Sequence, residues 1–421
     1  MTHSTTTIYH VGAARDAQGT NLRHASVVIH RDKIVQISRP NQINLADFPD
    51  AHIIDLPNVL ILPRMANAHA HLDMASVMPR PYVGPFDDWL MAVLTQCPST
   101  EADVTKSVTQ GWHDSVASGI GLIGDIARHP HAAVALAQAN AGYHAVAFQE
   151  FFGQGLRQPQ AIQQLNDAAQ TLADLHQETG LITGLQPHAP YSAGLDLYKA
   201  AADASHKLPL RLSTHLAETL EEEQFIRHAT GMYTELLKRH DKWDDSITPC
   251  HQSPVQRLAS VLSDAHWLVA HCNYVDDADI HTLVQTQTAV AYCPVASNYF
   301  GHREHRYRDM LSAGVNVCLG TDSHMCQSAD EKQPMGVMAQ MRYLFKHDQT
   351  DPALLLEMAT TRGARALGAD EALVTLQPES PGDVMAVHFD PHVTGDPFTQ
   401  ALRSDGSLCT LASLGQSGAS K

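Results

Sequence analysis

Eight short apolar runs, separated by segments of helical texture, restrict this chain to very few architectures. The runs are 59–62, 120–123, 144–148, 183–187, 210–214, 267–270, 289–292 and 315–319. Runs of this length bounded by turn residues predict parallel strands with crossover helices, and eight of them close naturally into a (β/α)8 barrel. Residues 161–178 and 352–367, rich in Ala, Leu and Gln, predict two of the intervening helices.

The two ends of the chain have a different texture. From 6 to about 60, runs such as Ala25-Ser26-Val27-Val28-Ile29 and Lys33-Ile34-Val35-Gln36-Ile37 alternate with turn residues and predict a small antiparallel sheet. After about 372 the chain turns β-rich again, with Asp383-Val384-Met385-Ala386-Val387-His388 bounded by Pro and Gly. The expected organisation is α/β: a (β/α)8 TIM barrel over 58–371, with a small β-sandwich built from 1–57 and 372–421 and a frayed tail from 415. A chain of 421 residues, 44% of them hydrophobic, has the core for one barrel and one satellite.

Composition removes several classes of function. Twenty-eight basic against forty-five acidic residues give a formal charge of −17, which repels phosphate backbones and anionic membrane surfaces. A nucleic acid polymer and a membrane are therefore not expected partners; a small molecule is. The first residues carry neither a basic nor an apolar leader pattern, and no apolar run approaches a bilayer span, so a cytoplasmic location is expected. Seven cysteines, odd in number and without a CxxC pair, predict reduced thiols that are mostly buried.

Twenty-seven histidines make an isolated HxH weak as a signal. His129-Pro130-His131 and His302-Arg303-Glu304-His305 are spacings that chance supplies. His69-Ala70-His71 is different, because it follows the first barrel run, where two side chains two residues apart leave the same face. His215, His271 and Asp322 in turn follow the fifth, sixth and eighth runs, positions that a barrel brings together at its C-terminal face. Imidazole and carboxylate ligands in that set suit one divalent ion, Zn2+ before Fe2+ or Mn2+. Glu218, three residues after His215, can face the same water, whereas Glu221, Glu222 and Glu223 read as solvated carboxylates at a helix start.

Five motifs carry a resemblance through nearly the whole chain: Asn67-Ala68-His69-Ala70-His71-Leu72, His188-Ala189-Pro190-Tyr191-Ser192, His215-Leu216-Ala217-Glu218-Thr219, Ala270-His271-Cys272 and Gly320-Thr321-Asp322-Ser323. With them the chain closely resembles the amidohydrolase superfamily, in its branch of cytosine, guanine, S-adenosylhomocysteine and triazine aminohydrolases and chlorohydrolases. The resemblance implies His69, His71, His215 and Asp322 as metal ligands. Glu218 becomes the proton shuttle, and His271 hydrogen-bonds the attacking water or the substrate. His188 stands where binuclear members carry a bridging lysine, which implies a single metal. The implied reaction is hydrolytic deamination, with Glu218 protonating a ring nitrogen and Asp322 passing a second proton to the departing amine. A homo-oligomer is also implied.

Tyr292-Cys293-Pro294, Asn298-Tyr299-Phe300-Gly301-His302 and Ser253-Pro254-Val255-Gln256 look like the aminodeoxyfutalosine deaminases. The substrate so implied is an adenine nucleoside of the aminodeoxyfutalosine, S-adenosylhomocysteine, methylthioadenosine or adenosine type. His188 resembles a substrate contact. Phe86 and Trp89 either wall a purine or only pack the following helix, and Glu150 and Arg157 are further candidate contacts. Arg64-Met65 departs from the family pattern, as does the lack of a clear carboxylate after Trp89. Two other readings stand beside this one: the same site acting on a halogenated heterocycle or cyclic amide, and a barrel kept as a non-catalytic scaffold.

Overall fold

The computed structural model describes residues 6–84, 86–139, 144–327 and 335–418. Within them lie strands β1 (Thr6–Arg15), β2 (Asn21–His30), β3 (Lys33–Ser38), β4 (His52–Leu62), β5 (Met65–Ala70), β6 (Ile120–Ala127) and β7 (His144–Phe151). They are followed by β8 (Ile182–Pro187), β9 (Arg211–Leu216), β10 (Trp267–His271), β11 (Ala289–Tyr292), β12 (Val317–Leu319), β13 (Met385–His388) and β14 (Cys409–Thr410). The chain divides into two compact units: Met1–Asn67 with Asp114–Leu122 and Met335–Lys421, and Ala68–His113 with Ile123–Pro334.

In the first unit both chain ends build one six-stranded sheet in the order β14-β13-β4-β1-β2-β3. It is mixed rather than antiparallel, because β1 pairs parallel with β4 while β2 and β13 run antiparallel to their neighbours. A register shift lies between Val11 and Ala13, and Gly12 sits inside it. A Cβ there would come within 2.1 Å of the Pro57 carbonyl, so the close approach of β1 to β4 requires glycine. One face buries Val11, Val27, Ile34, Val59, Ile61, Leu376 and Ala386 as a single cluster.

The second sheet has eight strands in the order β12-β11-β10-β9-β8-β7-β6-β5, with β7 through β12 pairing in parallel, and a parallel bridge between Ala70 and Asp322 brings its two edges together into a nearly closed barrel. Strands buried on both faces read as continuous apolar runs, and β6, β10 and β11 are buried at every residue. The expected first barrel strand is corrected: 59–62 is the buried end of β4 in the terminal sheet, and β5, Met65-Ala66-Asn67-Ala68-His69-Ala70, takes its place.

The helix expected over 161–178 spans Gln158–Thr179 and stops at Gly180, whose φ of +76° closes the last turn. That expected over 352–367 is two helices, Pro352–Met358 and Thr361–Leu367. The Ala359 carbonyl accepts the Ala66 N–H at 2.8 Å and is drawn out of the helical ladder, which breaks it there. Of the expected tail, 415–418 ends a helix, Leu411–Gly418, and 419–421 lie outside the described residues. No described helix is long and apolar enough to cross a membrane.

Candidate active site

The second unit gathers the expected ligand residues at the C-terminal ends of its strands. His69 is the penultimate residue of β5, and His71 is the last residue before a single 3-10 turn, Leu72–Met74. That turn is pinned: the Leu72 N–H donates to Asp125 Oδ1 at 2.9 Å, and Ser107 Oγ donates to the Leu72 carbonyl at 3.1 Å. His215 is penultimate in β9, and His271 ends β10. Asp322 lies three residues past β12, where the N–H groups of Thr321 and Asp322 both donate to the His69 carbonyl at 2.9 and 3.0 Å. Gly320 permits this approach, since a Cβ there would stand 2.8 Å from His69 Cβ.

Several of these residues hold a left-handed backbone that side chains disfavour: Ala217 (φ +50°), His271 (+74°), Cys272 (+53°) and Asp322 (+60°). Each such conformation costs of order 1–3 kcal/mol and persists only where neighbours over-determine it. Four such residues at the ends of three strands mark the region where the fold gives up stability for geometry.

The side chains converge tightly. His71 Nε2 lies 3.4 Å from His215 Nε2 and 3.6 Å from Asp322 Oδ1, and His69 Nε2 lies 3.9 Å from the same oxygen. The ring centroids of His69 stand 5.1, 4.9 and 5.4 Å from those of His71, His215 and His271. All five residues are buried. Ligand atoms of His69, His71 and Asp322, and likewise of His69, His215 and His271, lie within 4.8 Å of one another.

Two observations test whether this cluster fits a cation. The Nε2 atoms of His69 and His271 are buried without a hydrogen-bond partner, a cost of about 1–3 kcal/mol each unless something ligates them. Burial also holds His69, His71 and His271 well below the usual imidazole pKa, and His215 at about 4, so the rings are neutral with lone pairs available. His215 Nδ1 lies 2.9 Å from the His188 carbonyl and donates to it, which leaves Nε2 bare toward His71. Neutral imidazoles beside a carboxylate are a donor set for a divalent metal.

Glu218 follows at the edge of this cluster, its Oε1 3.7 Å from His271 Nε2. Burial first, then the nearby Asp322, raises its carboxyl pKa well above the ordinary range; burial raises that of Asp322 to about 6. Both carboxyls are thereby shifted toward holding a proton more readily than an exposed carboxylate does.

A cavity of about 590 Å³ opens from the cluster. His71, His215, His271, Asp322 and Glu218 line it on one side, and Phe86, Trp89, His188, Glu150 and Arg157 on the others. The rings of Phe86 and Trp89 stack at 5.7 Å, and Trp89 meets Phe300 edge-on at 4.8 Å. The pair packs into an apolar cluster and also lines the cavity. His188 Nδ1 contacts Ser192 Oγ at 2.5 Å, and its Nε2 lies 3.7 Å from Glu150 Oε1, which is buried without a hydrogen-bond partner. Arg157 is exposed at the rim.

Other residues were not signalled by the sequence. Glu222, expected in solvent, is fully buried and accepts the backbone N–H groups of Ala217 and Glu218 at 3.0 and 2.8 Å. Asn273 Nδ2 donates to the Glu218 carbonyl at 3.0 Å. Of the chance histidine pairs, His129 and His131, with rings 6.5 Å from each other, join none of the groups among the described residues that could hold a metal. His305 lies behind it, donating from Nε2 to the His271 carbonyl at 2.8 Å.

The chain is similar to known proteins over most of their length. The 5-methylthioadenosine/S-adenosylhomocysteine deaminase of Symbiobacterium thermophilum is 25% identical over 379 residues, 85% of this chain and 80% of that one. The Helicobacter pylori aminofutalosine deaminase in complex with methylthio-coformycin superposes with a TM-score of 0.79 at 20% identity, covering 95% of this chain and 97% of its own. An adenosine deaminase from Xanthomonas campestris with bound zinc gives 0.75 at 17% identity, covering 96% and 90%. Residues 60–414 match the model of the amidohydrolase family, and the chain belongs to that family.

Proposed function

We propose that this protein is a metal-dependent hydrolase that deaminates an adenine-containing nucleoside and releases ammonia. The observation that carries the reading is Glu218: a buried carboxyl 3.7 Å from His271 Nε2, beside a histidine–aspartate cluster, at the floor of an aromatic-walled cavity. The relatives that are deaminases of methylthioadenosine, S-adenosylhomocysteine and aminofutalosine support the same substrate class.

In this reading His69, His71, His215 and Asp322 hold one ion, zinc by its presence in the Xanthomonas campestris adenosine deaminase. When bound, the ion supplies a water that ionises near neutral pH and can attack carbon. The chain's own groups do the rest. Phe86 and Trp89 stack against the purine, and His188 contacts its edge. Glu150 and Arg157 contact the remainder of the nucleoside. His271 donates or accepts at Nε2 to fix the approach of the water.

Glu218 takes the proton of the attacking water and delivers it to the neighbouring ring nitrogen, which its raised pKa suits. Asp322 transfers the second proton to the exocyclic amine. The C–N bond breaks, ammonia leaves, and the amino group and one water are exchanged for a carbonyl oxygen and NH3.

The test is ammonia release by zinc-loaded protein from adenosine, S-adenosylhomocysteine, methylthioadenosine, aminodeoxyfutalosine, guanine and cytosine, with Glu218→Gln as control. Turnover of an adenine nucleoside that the variant lacks is expected. Activity confined to chlorinated triazines or dihydropyrimidines would overturn the substrate class. Protein that binds no metal when offered zinc would overturn the catalytic reading altogether.

A further inference from the structure

We infer that Glu222 and Asn273 form a two-sided clamp on the peptide that carries Glu218, and that they act as positioning residues for proton transfer. The inference rests on Glu218 being the proton carrier and adds the residues that aim it.

Glu218 follows Ala217, whose φ is +50°. A left-handed alanine is stable only where its neighbours impose it, so the direction of the Glu218 side chain depends on what holds the two peptides around it. Four hydrogen bonds do so. Glu222 accepts the Ala217 and Glu218 N–H groups with its two carboxylate oxygens, Oε1 at 3.0 Å and Oε2 at 2.8 Å. The Glu218 carbonyl accepts Asn273 Nδ2 at 3.0 Å, and the Ala217 carbonyl accepts the Tyr274 N–H at 3.1 Å. Asn273 is fixed in turn, its Oδ1 accepting Ser297 Oγ at 2.9 Å. The Glu218 carbonyl, which can only accept, assigns the amide orientation: the nitrogen faces Glu218, and the oxygen faces the hydroxyl.

Glu222 lies one turn along the helix Leu220–His228, whose cap, Thr219, accepts the Glu222 N–H at 3.1 Å. Its side chain thus folds back over the start of its own helix, onto the two peptides that precede it. Both side chains are buried, Glu222 completely, so neither has water as an alternative partner. Charge-assisted acceptance by a carboxylate is stronger than acceptance by a neutral amide. Glutamine at 222 would place an NH2 against one of two backbone donors. Aspartate at 273 would place an oxygen against the Glu218 carbonyl. Each exchange keeps the shape and inverts one hydrogen bond.

The experiment compares zinc-loaded wild type with Glu222→Gln, Asn273→Asp, Asn273→Ala, Glu218→Gln and the double variants with Glu218→Gln. Rates with adenosine and methylthioadenosine are measured alongside zinc content and crystal structures. A displacement of the order of 1 Å at a catalytic group can lower a rate about 100-fold. We expect kcat to fall about 10- to 100-fold in each clamp variant, with KM within about twofold and zinc retained. In the Glu218→Gln background the clamp substitutions should cost nothing further, which a merely structural role would not produce. Wild-type kcat in all three clamp variants, or losses that multiply with that of Glu218→Gln, would overturn the inference. Full activity in Glu218→Gln would instead overturn the role of Glu218. The structures then decide the clamp alone: a Glu218 carboxylate swung away from His271 in Glu222→Gln supports it, and an unmoved one overturns it.

Discussion

His69-Ala70-His71 and His129-Pro130-His131 have the same spacing and opposite surroundings. The first pair sits where a fully buried strand runs out, and its backbone is tied on both sides, by Asp125 at the Leu72 N–H and by two amides at the His69 carbonyl. The second sits at the entry to the helix His131–Ala139, where His131 meets Thr105 Oγ1 at 3.0 Å and both side chains are partly exposed. Around His69 and His71 a further His, His and Asp converge; around His129 and His131 none of the described residues do so. Spacing brings two imidazoles near each other, but only a backbone that also delivers a third and fourth donor makes a site.

The sharpest way to break this contrast is to substitute within each pair. His69→Asn or His71→Asn should abolish stoichiometric zinc binding and bring turnover to background, since even outer partners of a ligand are worth about 10- to 100-fold. Zinc content by mass spectrometry and the ammonia assay read both effects. Glu218→Gln separates holding the ion from moving the proton: zinc should be retained while kcat falls about 10²- to 10⁴-fold.

Asp125→Asn probes the support under the first pair. The amide oxygen can still accept the Leu72 N–H, so only the charge is changed. Burial, then the neighbouring Asp73, raises the Asp125 pKa to about 8 from an ordinary 3.8. A carboxyl whose folded-state pKa is raised contributes its stability below the unfolded value and loses it as pH rises through the folded one. In metal-free protein the variant's Tm should therefore gain on wild type by about 2 °C or more between pH 6 and pH 9. A constant difference across that range would remove Asp125 as a buried, titrating support. Smallest of all, His129→Asn and His131→Asn should leave zinc content unchanged and kcat within about twofold of wild type. A larger loss would erase the contrast between the pairs.

The residues that made this architecture legible were those whose environment is set locally. The other seven barrel strands are short, largely buried runs, most of them rich in apolar residues, a pattern readable without knowing their partners. The eighth was not readable, because β5 combines three alanines with Asn67 and His69, while the apolar end of β4 beside it imitates a barrel strand. Sheet membership is decided by partners distant in sequence, as is the parallel pairing of β1 with β4. His215, His271 and Asp322 were visible because each ends or follows an apolar run of the barrel, whereas His69 and His71 showed only through their spacing and motif, the run before them belonging to the terminal sheet. Glu222 was not: Glu221, Glu222 and Glu223 are chemically alike, and helix phase alone buries the middle one while its neighbours stay partly exposed. Asn273 gave no signal, since its role appears only once the β10 end lies beside Glu218.

The bridge between Ala70 and Asp322 has a consequence for how the molecule assembles. It ties the start of the barrel to its end beside His69 and Asp322, so an ion held by both, as proposed above, would work as a clasp on the seam. During synthesis the half carrying His69 emerges long before the half carrying Asp322. Such a clasp could fasten only once the last strand has been made and laid down, so the proposed ion would be acquired late in maturation. Slow amide exchange at Thr321 and Asp322 would then mark molecules that are both closed and loaded.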